Sequence, residues 1–325
     1  MILLRGLVRV ALALALAWGA AALLYTVPGP HALAVGLAAG VALLGWAALA
    51  FDHSLGRAVG IAALLLVGVG LWWSQLRPSN LEDWAPENAR TPRGEISGDE
   101  LLLHDVRDFD YHTETDFTQR WETRRYDLGK LRGLDLFLSH WGSPAIAHTI
   151  LSWQFEDAPP LAISIETRKD KHQQYDAIAG FFRNYPILYV PADERDLVRL
   201  RTNYRGENVW LYQLRMPVPR ARALLVDYVE EMNRLAARPE WYNALTENCT
   251  TAILTHVQQV GGSVPLDWRL FANGHLDELL YERGAIANGI PFDELRERSH
   301  IDARAKAADQ DPAFSERIRE GLPPR

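Results

Sequence analysis

Three long apolar runs open the chain, and after them the pattern changes completely. Leu7 to Tyr25, His31 to Phe51 and Ala58 to Trp73 carry almost no charge. Each is close to the roughly 20 residues that span a hydrocarbon core, the third being somewhat short. A cleaved signal peptide would account for the first run and leave the other two unexplained. The pattern therefore predicts a membrane anchor of three transmembrane helices over residues 1–76. Arg5 and Arg9 flank the first run and Arg57 lies between the second and third, whereas the connection TVPGP has no Lys or Arg. The positive-inside rule then puts the N-terminus in the cytoplasm. An odd number of spans delivers the remaining chain to the other side, with Trp72 and Trp73 in the aromatic belt.

Beyond the apolar runs, residues 77–100 are rich in Pro, Gly, Asn and charge and read as a linker. Residues 101–298 then alternate between two periods. Asp135 to Gly142 reads as a strand or turn region, and Ile146 to Phe155 is a β-branched and aromatic strand. Leu161 to Arg168 alternates strictly, and Asn208 to Val218 reads as a further strand. Pro219 to Pro239 is an amphipathic helix bounded by prolines. A second helix starts near Cys249 and ends at Gly261 and Gly262. Strands come first and helices gather late, which predicts an α+β domain with an antiparallel sheet rather than a doubly wound fold. Residues 299–325 are polar and read as a peripheral helix and tail.

Charge changes this picture only by exclusion. Lys and Arg number 34 against 41 Asp and Glu, a net charge of -7, and no long basic run occurs, so nucleic acid is not an expected partner. No GxSxG, Walker A, HExxH or dinucleotide fingerprint appears, and no cofactor is expected. The chain has one cysteine, Cys249, which excludes an intramolecular disulfide in a compartment that favours disulfides. It sits in TENCTTAILTHV, where Asn248 is placed to cap a helix. The first turn would then lower the thiol pKa and offer free amides to an oxyanion. Cys249 is either a small buried hydrophobe or a nucleophile.

A nucleophilic thiol needs a base and a group that orients it. His148 lies inside an apolar strand and is the candidate base. If the turn Glu156 to Pro160 is centred on Ala158, Phe155 pairs with Leu161. Glu166 then lies diagonal to His148 on one face and can orient it, while Arg168 sits directly opposite. Asn248, Asn243, Thr250 and Arg168 are candidates for binding an oxyanion or substrate. A zinc site from His140, His148 and Cys249 lacks motif spacing, so no metal ligand set is expected. Arg195, Arg199, Arg201 and Arg205 form either an anion-binding cluster or a solvated face with internal ion pairs.

The stretches FDYHTETDFTQRWETRRYDL, WGSPAIAHTILSWQF, LAISIETRKD, ADERDLVRLRTNYRGENVWLY and WYNALTENCTTAI resemble the Lnb N-terminal periplasmic domain family. The resemblance covers roughly Phe109 to Val257, and SIETRK and NCTT carry it most specifically. The family is similar to circularly permuted papain-like enzymes of the NlpC type, in which the histidine strand precedes an NC nucleophile. The order His148 then Cys249 agrees with that permutation. The family takes its name from a bacterial lipoprotein N-acyltransferase. The resemblance therefore implies thiol acyl chemistry at a membrane surface. With the spans, the expectation is a bacterial inner-membrane protein whose periplasmic domain is an acyltransferase or amidohydrolase acting on a lipid or lipoprotein, the alternatives being a papain-like peptidoglycan peptidase or amidase and a non-catalytic envelope binding module. This chain places its spans before the domain, which departs from the namesake's arrangement.

Overall fold

Runs of Leu, Ala and Val with almost no charge satisfy their backbone polar groups most economically as helices. In the computed structural model, which describes residues 2–246 and 248–324, these runs form α1 (Ile2–Thr26), α2 (His31–Phe51) and α3 (Leu55–Gln75). All three are long and apolar enough to cross a membrane. Small residues let them approach closely. A Cβ on Gly45 would come within 2.6 Å of Leu16 Cδ1, so α1 and α2 pack through a glycine contact. At one end Arg9 donates to the Asp52 carbonyl at 2.9 Å. At the other, Trp72 Nε1 donates to Thr26 Oγ1 at 3.1 Å. The helices belong to a unit comprising Met1–Ser79, Tyr175–Pro186 and Glu240–Asn243.

The second unit comprises Asn80–Gln174, Ile187–Pro239 and Ala244–Arg325. Its strands are β1 (Arg93–Ser97), β2 (Glu100–Arg107), β3 (Asp110–Tyr111), β4 (Phe117–Thr118), β5 (Trp121–Asp127), β6 (Leu131–His140), β7 (Ala147–Phe155), β8 (Leu161–Thr167), β9 (Ile187–Ala192) and β10 (Asn208–Leu214). The main sheet runs β1-β2-β9-β8-β7-β6-β10, with β5 also paired to β2 and β3-β4 forming a separate ribbon. Pairing is antiparallel except at Arg107↔Ala192, where β2 meets β9 in parallel. With the helices below, this is the expected α+β class, built on a mixed sheet. Within the stretch read as linker, β1 pairs with β2 from Arg93↔His104 to Ser97↔Glu100.

Helix α4 (Glu194–Arg199), capped by Asp193, runs into a π-helical turn, Leu200–Tyr204. Then come α5 (Val218–Ala237), α6 (Cys249–Gln259), α7 (Leu276–Glu282), α8 (Phe292–Ser299), α9 (Asp302–Ala307) and α10 (Phe314–Arg317). Helix α5 covers one face of the sheet, where Trp153 Nε1 donates to the Ala221 carbonyl at 2.8 Å. On the other face Phe137, Ile150, Leu197, Val209, Ile301, Phe314 and Ile318 share one core. The segment read as a polar tail thus supplies part of that core. Its charges are also engaged, because Arg319 reaches Glu194 at 2.6 Å and Asp135 at 2.9 Å, both carboxylates fully buried.

The β7–β8 hairpin corrects the expected register. Trp153 pairs with Leu161, and the ladder runs to Ile150↔Ser164. Two prolines close the turn, Pro159 and Pro160, and neither has an N–H for the ladder. Pairing therefore ends two residues earlier on β7, at Trp153 rather than Phe155, and the loop is longer than five residues. Continuing the same register brings Glu166, not Arg168, opposite His148.

Candidate functional site

Helix α6 begins where a capping box forces it to begin. Asn248 Oδ1 accepts from the amides of Thr250 and Thr251, both at 2.9 Å, and Thr251 Oγ1 accepts from the Asn248 amide at 2.9 Å. This satisfies three of the four donors a helix start leaves open. Cys249 is the first helical residue, and its amide has no intrahelical acceptor. The far end of α6 is fixed by His256, which takes Asp227 on Nδ1 at 2.6 Å and Tyr189 on Nε2 at 2.7 Å.

Cys249 is buried, and the His148 imidazole lies close enough to act on its thiol. Ser164 lies two residues before Glu166 on β8 and so shares its face. Its hydroxyl donates to Glu166 Oε1 at 2.6 Å and lies 2.6 Å from His148 Nε2. Because Ser164 spends its proton on Glu166, Nε2 must be the donor to Ser164. Glu166 Oε1 is also 3.3 Å from His148 Nε2 and accepts from Arg201 Nη2 at 2.9 Å. The result is a continuous hydrogen-bonded chain from His148 through Ser164 and Glu166 to Arg201, with the Cys249 thiol beside it.

The electrostatics follow from this chain. Burial pulls the His148 imidazole down, but the Glu166 charge and the hydrogen bonds to Cys249 and Glu166 overcome it and push the pKa up to about 9. Burial raises the Glu166 carboxyl, yet His148, Arg201 and Ser164 hold it well below its ordinary value. Burial likewise raises the Cys249 thiol. The His148 hydrogen bond and charge, the Thr149 backbone amide and Thr250 bring it below the ordinary thiol value. All three shifts favour a thiolate beside an imidazolium and a carboxylate.

Of the other expected residues, Thr250 joins the site. Its Oγ1 is 3.9 Å from Cys249 Sγ and 3.4 Å from Thr149 Oγ1, and it accepts from Asn273 Nδ2 at 2.7 Å. Asn273 also bonds both backbone groups of Ala147, at 2.9 and 2.6 Å, so it fixes the histidine strand to the start of α6. Asn248 is a cap rather than an oxyanion donor, since its Nδ2 is used on the Ala244 carbonyl at 2.8 Å. Asn243 belongs to the unit that holds the apolar helices.

Arg168 is not part of the site. It is buried against the Trp84 ring at 4.5 Å and bonds Asn80 Oδ1 at 2.7 Å and the Asn88 carbonyl at 3.0 Å. Burial lowers its pKa to about 10. His140 pairs with Ala147 across β6 and β7, which turns it to the face opposite His148. The arginine run divides, with Arg205 exposed and paired with Glu114 and Glu207 while two others turn inward. Arg199 and Arg201 are buried and paired, to Asp110 at 2.5 Å and to Glu166. Sequence reading missed Ser164, Arg201 and Asn273 as site residues. The i, i+2 spacing of Ser164 and Glu166 was the one signal that pointed to any of them.

These features define an α+β domain, attached to apolar helices, with a Cys–His pair backed by a carboxylate. Residues 117–274 match the Lnb N-terminal periplasmic domain. The chain is a membrane-anchored periplasmic protein. No curated protein and no solved structure matches the chain.

Proposed function

We propose that this protein is a cysteine-dependent acyl-transfer enzyme that works through a thioester, with its N-terminus cytoplasmic and its second unit periplasmic. The observation that carries the reading is the His148–Ser164–Glu166 hydrogen-bonded chain beside the buried Cys249 thiol, which holds the thiol low and the imidazole high. The Cys249 thiolate attacks an acyl carbonyl, and the Cys249 amide stabilises the oxyanion at the helix start. The C–O or C–N bond to the leaving group breaks, and the leaving group takes the proton held by His148. Neutral His148 then takes a proton from an amine or water, which attacks the thioester and frees the thiol.

An apolar acyl donor, a lipid or lipoprotein, is favoured by the surroundings. Trp141, Ile146, Trp268 and Phe271 are exposed. They lie on the β6–β7 loop and the turn preceding Asn273, and these two segments are joined through Asn273 to Ala147 and Thr250. Exposed apolar groups of this size around a polar site are a mark of apolar ligands.

The test incubates the full-length protein with phospholipid carrying an alkyne-tagged acyl chain. Wild type should acquire a hydroxylamine-labile tag that is absent from Cys249→Ala and His148→Ala. Absence of the tag, together with release of peptides from purified sacculi, would move the assignment to a peptidoglycan peptidase or amidase. A native Cys249 that resists alkylation, with full cellular function retained by Cys249→Ala, would point instead to a non-catalytic envelope module.

A further inference from the structure

The segment Tyr175–Pro186 connects β8 to β9 yet belongs to the unit that contains the apolar helices. It is an ordered turn. Asp176 Oδ1 accepts from the amides of Ile178 at 2.7 Å and Ala179 at 3.1 Å, and a 3-10 turn follows at Ala179–Phe181. One side of the turn grips the helix ends. Phe182 is buried, stacked on Tyr25 at 5.3 Å and edge-on to Trp73 at 6.4 Å. Arg183 lies 5.0 Å from the Trp73 ring and donates to the Trp73 carbonyl at 2.8 Å. Tyr25 and Trp73 fall within the last turns of α1 and α3. The other side of the same turn leaves Ile178 57% and Phe181 44% exposed.

A soluble surface gives no reason to hold two large apolar side chains outward on a tightly bonded turn. The helix ends supply one. Aromatic residues at the ends of spanning helices mark the depth of the headgroups, and Phe182 fixes the turn at that depth. Amphipathic elements at this level bury their apolar side about 5–10 Å into the headgroup and acyl boundary. We propose that Tyr175–Pro186 is an interfacial foot that inserts Ile178 and Phe181 into the leaflet where α1 and α3 end. The membrane would then be contacted by the β8–β9 connection as well as by the spans. This is independent of any acyl chemistry at Cys249.

The lone cysteine makes the test clean. Full-length protein carrying Cys249→Ser with either Ile178→Cys or Phe181→Cys is labelled with an environment-sensitive fluorophore and placed in phosphatidylcholine–phosphatidylglycerol vesicles. Quenching by a shallow doxyl-labelled lipid is compared with quenching by aqueous iodide, each relative to free dye. The foot requires lipid quenching to exceed iodide quenching several-fold at both positions. Iodide quenching equal to or greater than lipid quenching at either position overturns it.

Discussion

Replacing Glu166 with Gln removes one negative charge and keeps the shape of the side chain. Glu166 is the strongest of the groups that raise His148, whose pKa is lifted from 6.5 to about 9. At 1.36 kcal/mol per pKa unit, that preference for the imidazolium is roughly 3 kcal/mol. Without the charge the imidazole should return most of the way toward 6.5, and the thiol should rise because its main partner is no longer cationic. Each unit by which the thiol pKa climbs above the working pH costs about tenfold in thiolate. The assay is the rate of iodoacetamide alkylation against pH, and it has no background because Cys249 is the only cysteine. Wild type should inflect below the ordinary thiol value. Glu166→Gln should inflect higher and react about tenfold more slowly at neutral pH. Ser164→Ala is the comparison. It keeps the charge, so its inflection should stay low while the ring loses its 2.6 Å tether and acyl transfer falls. An alkylation profile unchanged in Glu166→Gln would refute the coupling.

Three further outcomes follow from the packing. Arg319→Gln leaves Glu194 and Asp135 buried without their cation and should lose about 3–5 kcal/mol in urea unfolding. Because Glu194 is held below its ordinary pKa, after burial is overcome by Arg319 and Ser152, its contribution is present above the unfolded carboxylate pKa and lost as the pH falls. The variant should therefore show a shallower acid loss than wild type. Gly274→Ala would bring a Cβ to 2.0 Å from the Pro144 carbonyl oxygen, a backbone atom that cannot rotate away. It should cost about 1–3 kcal/mol and slow Cys249 alkylation by loosening Asn273, both readable in one labelling experiment under denaturant. Arg168→Gln should cost about 2 kcal/mol or more through the bonds to Asn80 and Asn88 while leaving the alkylation pH profile unmoved. A shifted profile would return Arg168 to the site.

The three spans were legible as long runs almost without charge, and the central strands, α5 and α6 by their apolar pattern and bounding turn residues. Asn248 was legible as a cap because Asn before an apolar helix has one usual role. The register was not, because the step in pairing depends on which of Glu156 to Pro160 can join a ladder, and periodicity is silent on that. Strand β1 hid in a charged sequence, Arg93–Ser97, with little apolar content to mark it. Arg201 was read among its charged neighbours, and only the fold separates a buried guanidinium beside Glu166 from a surface one. Asn273 lies far along the chain from His148 and Cys249, and no local spacing could link it to either.

The core shared by Phe137, Phe314 and Ile318 also sets a timetable. Strand β6 leaves the export channel long before residues 301–318 do, and until they arrive its partner face and the carboxylates Asp135 and Glu194 have no cover. Contacts so distant in sequence close late, and the half-built sheet is sticky meanwhile. Newly exported chains should therefore depend on envelope chaperones, and a stalled export intermediate ending before residue 301 should be a preferred target for proteolysis.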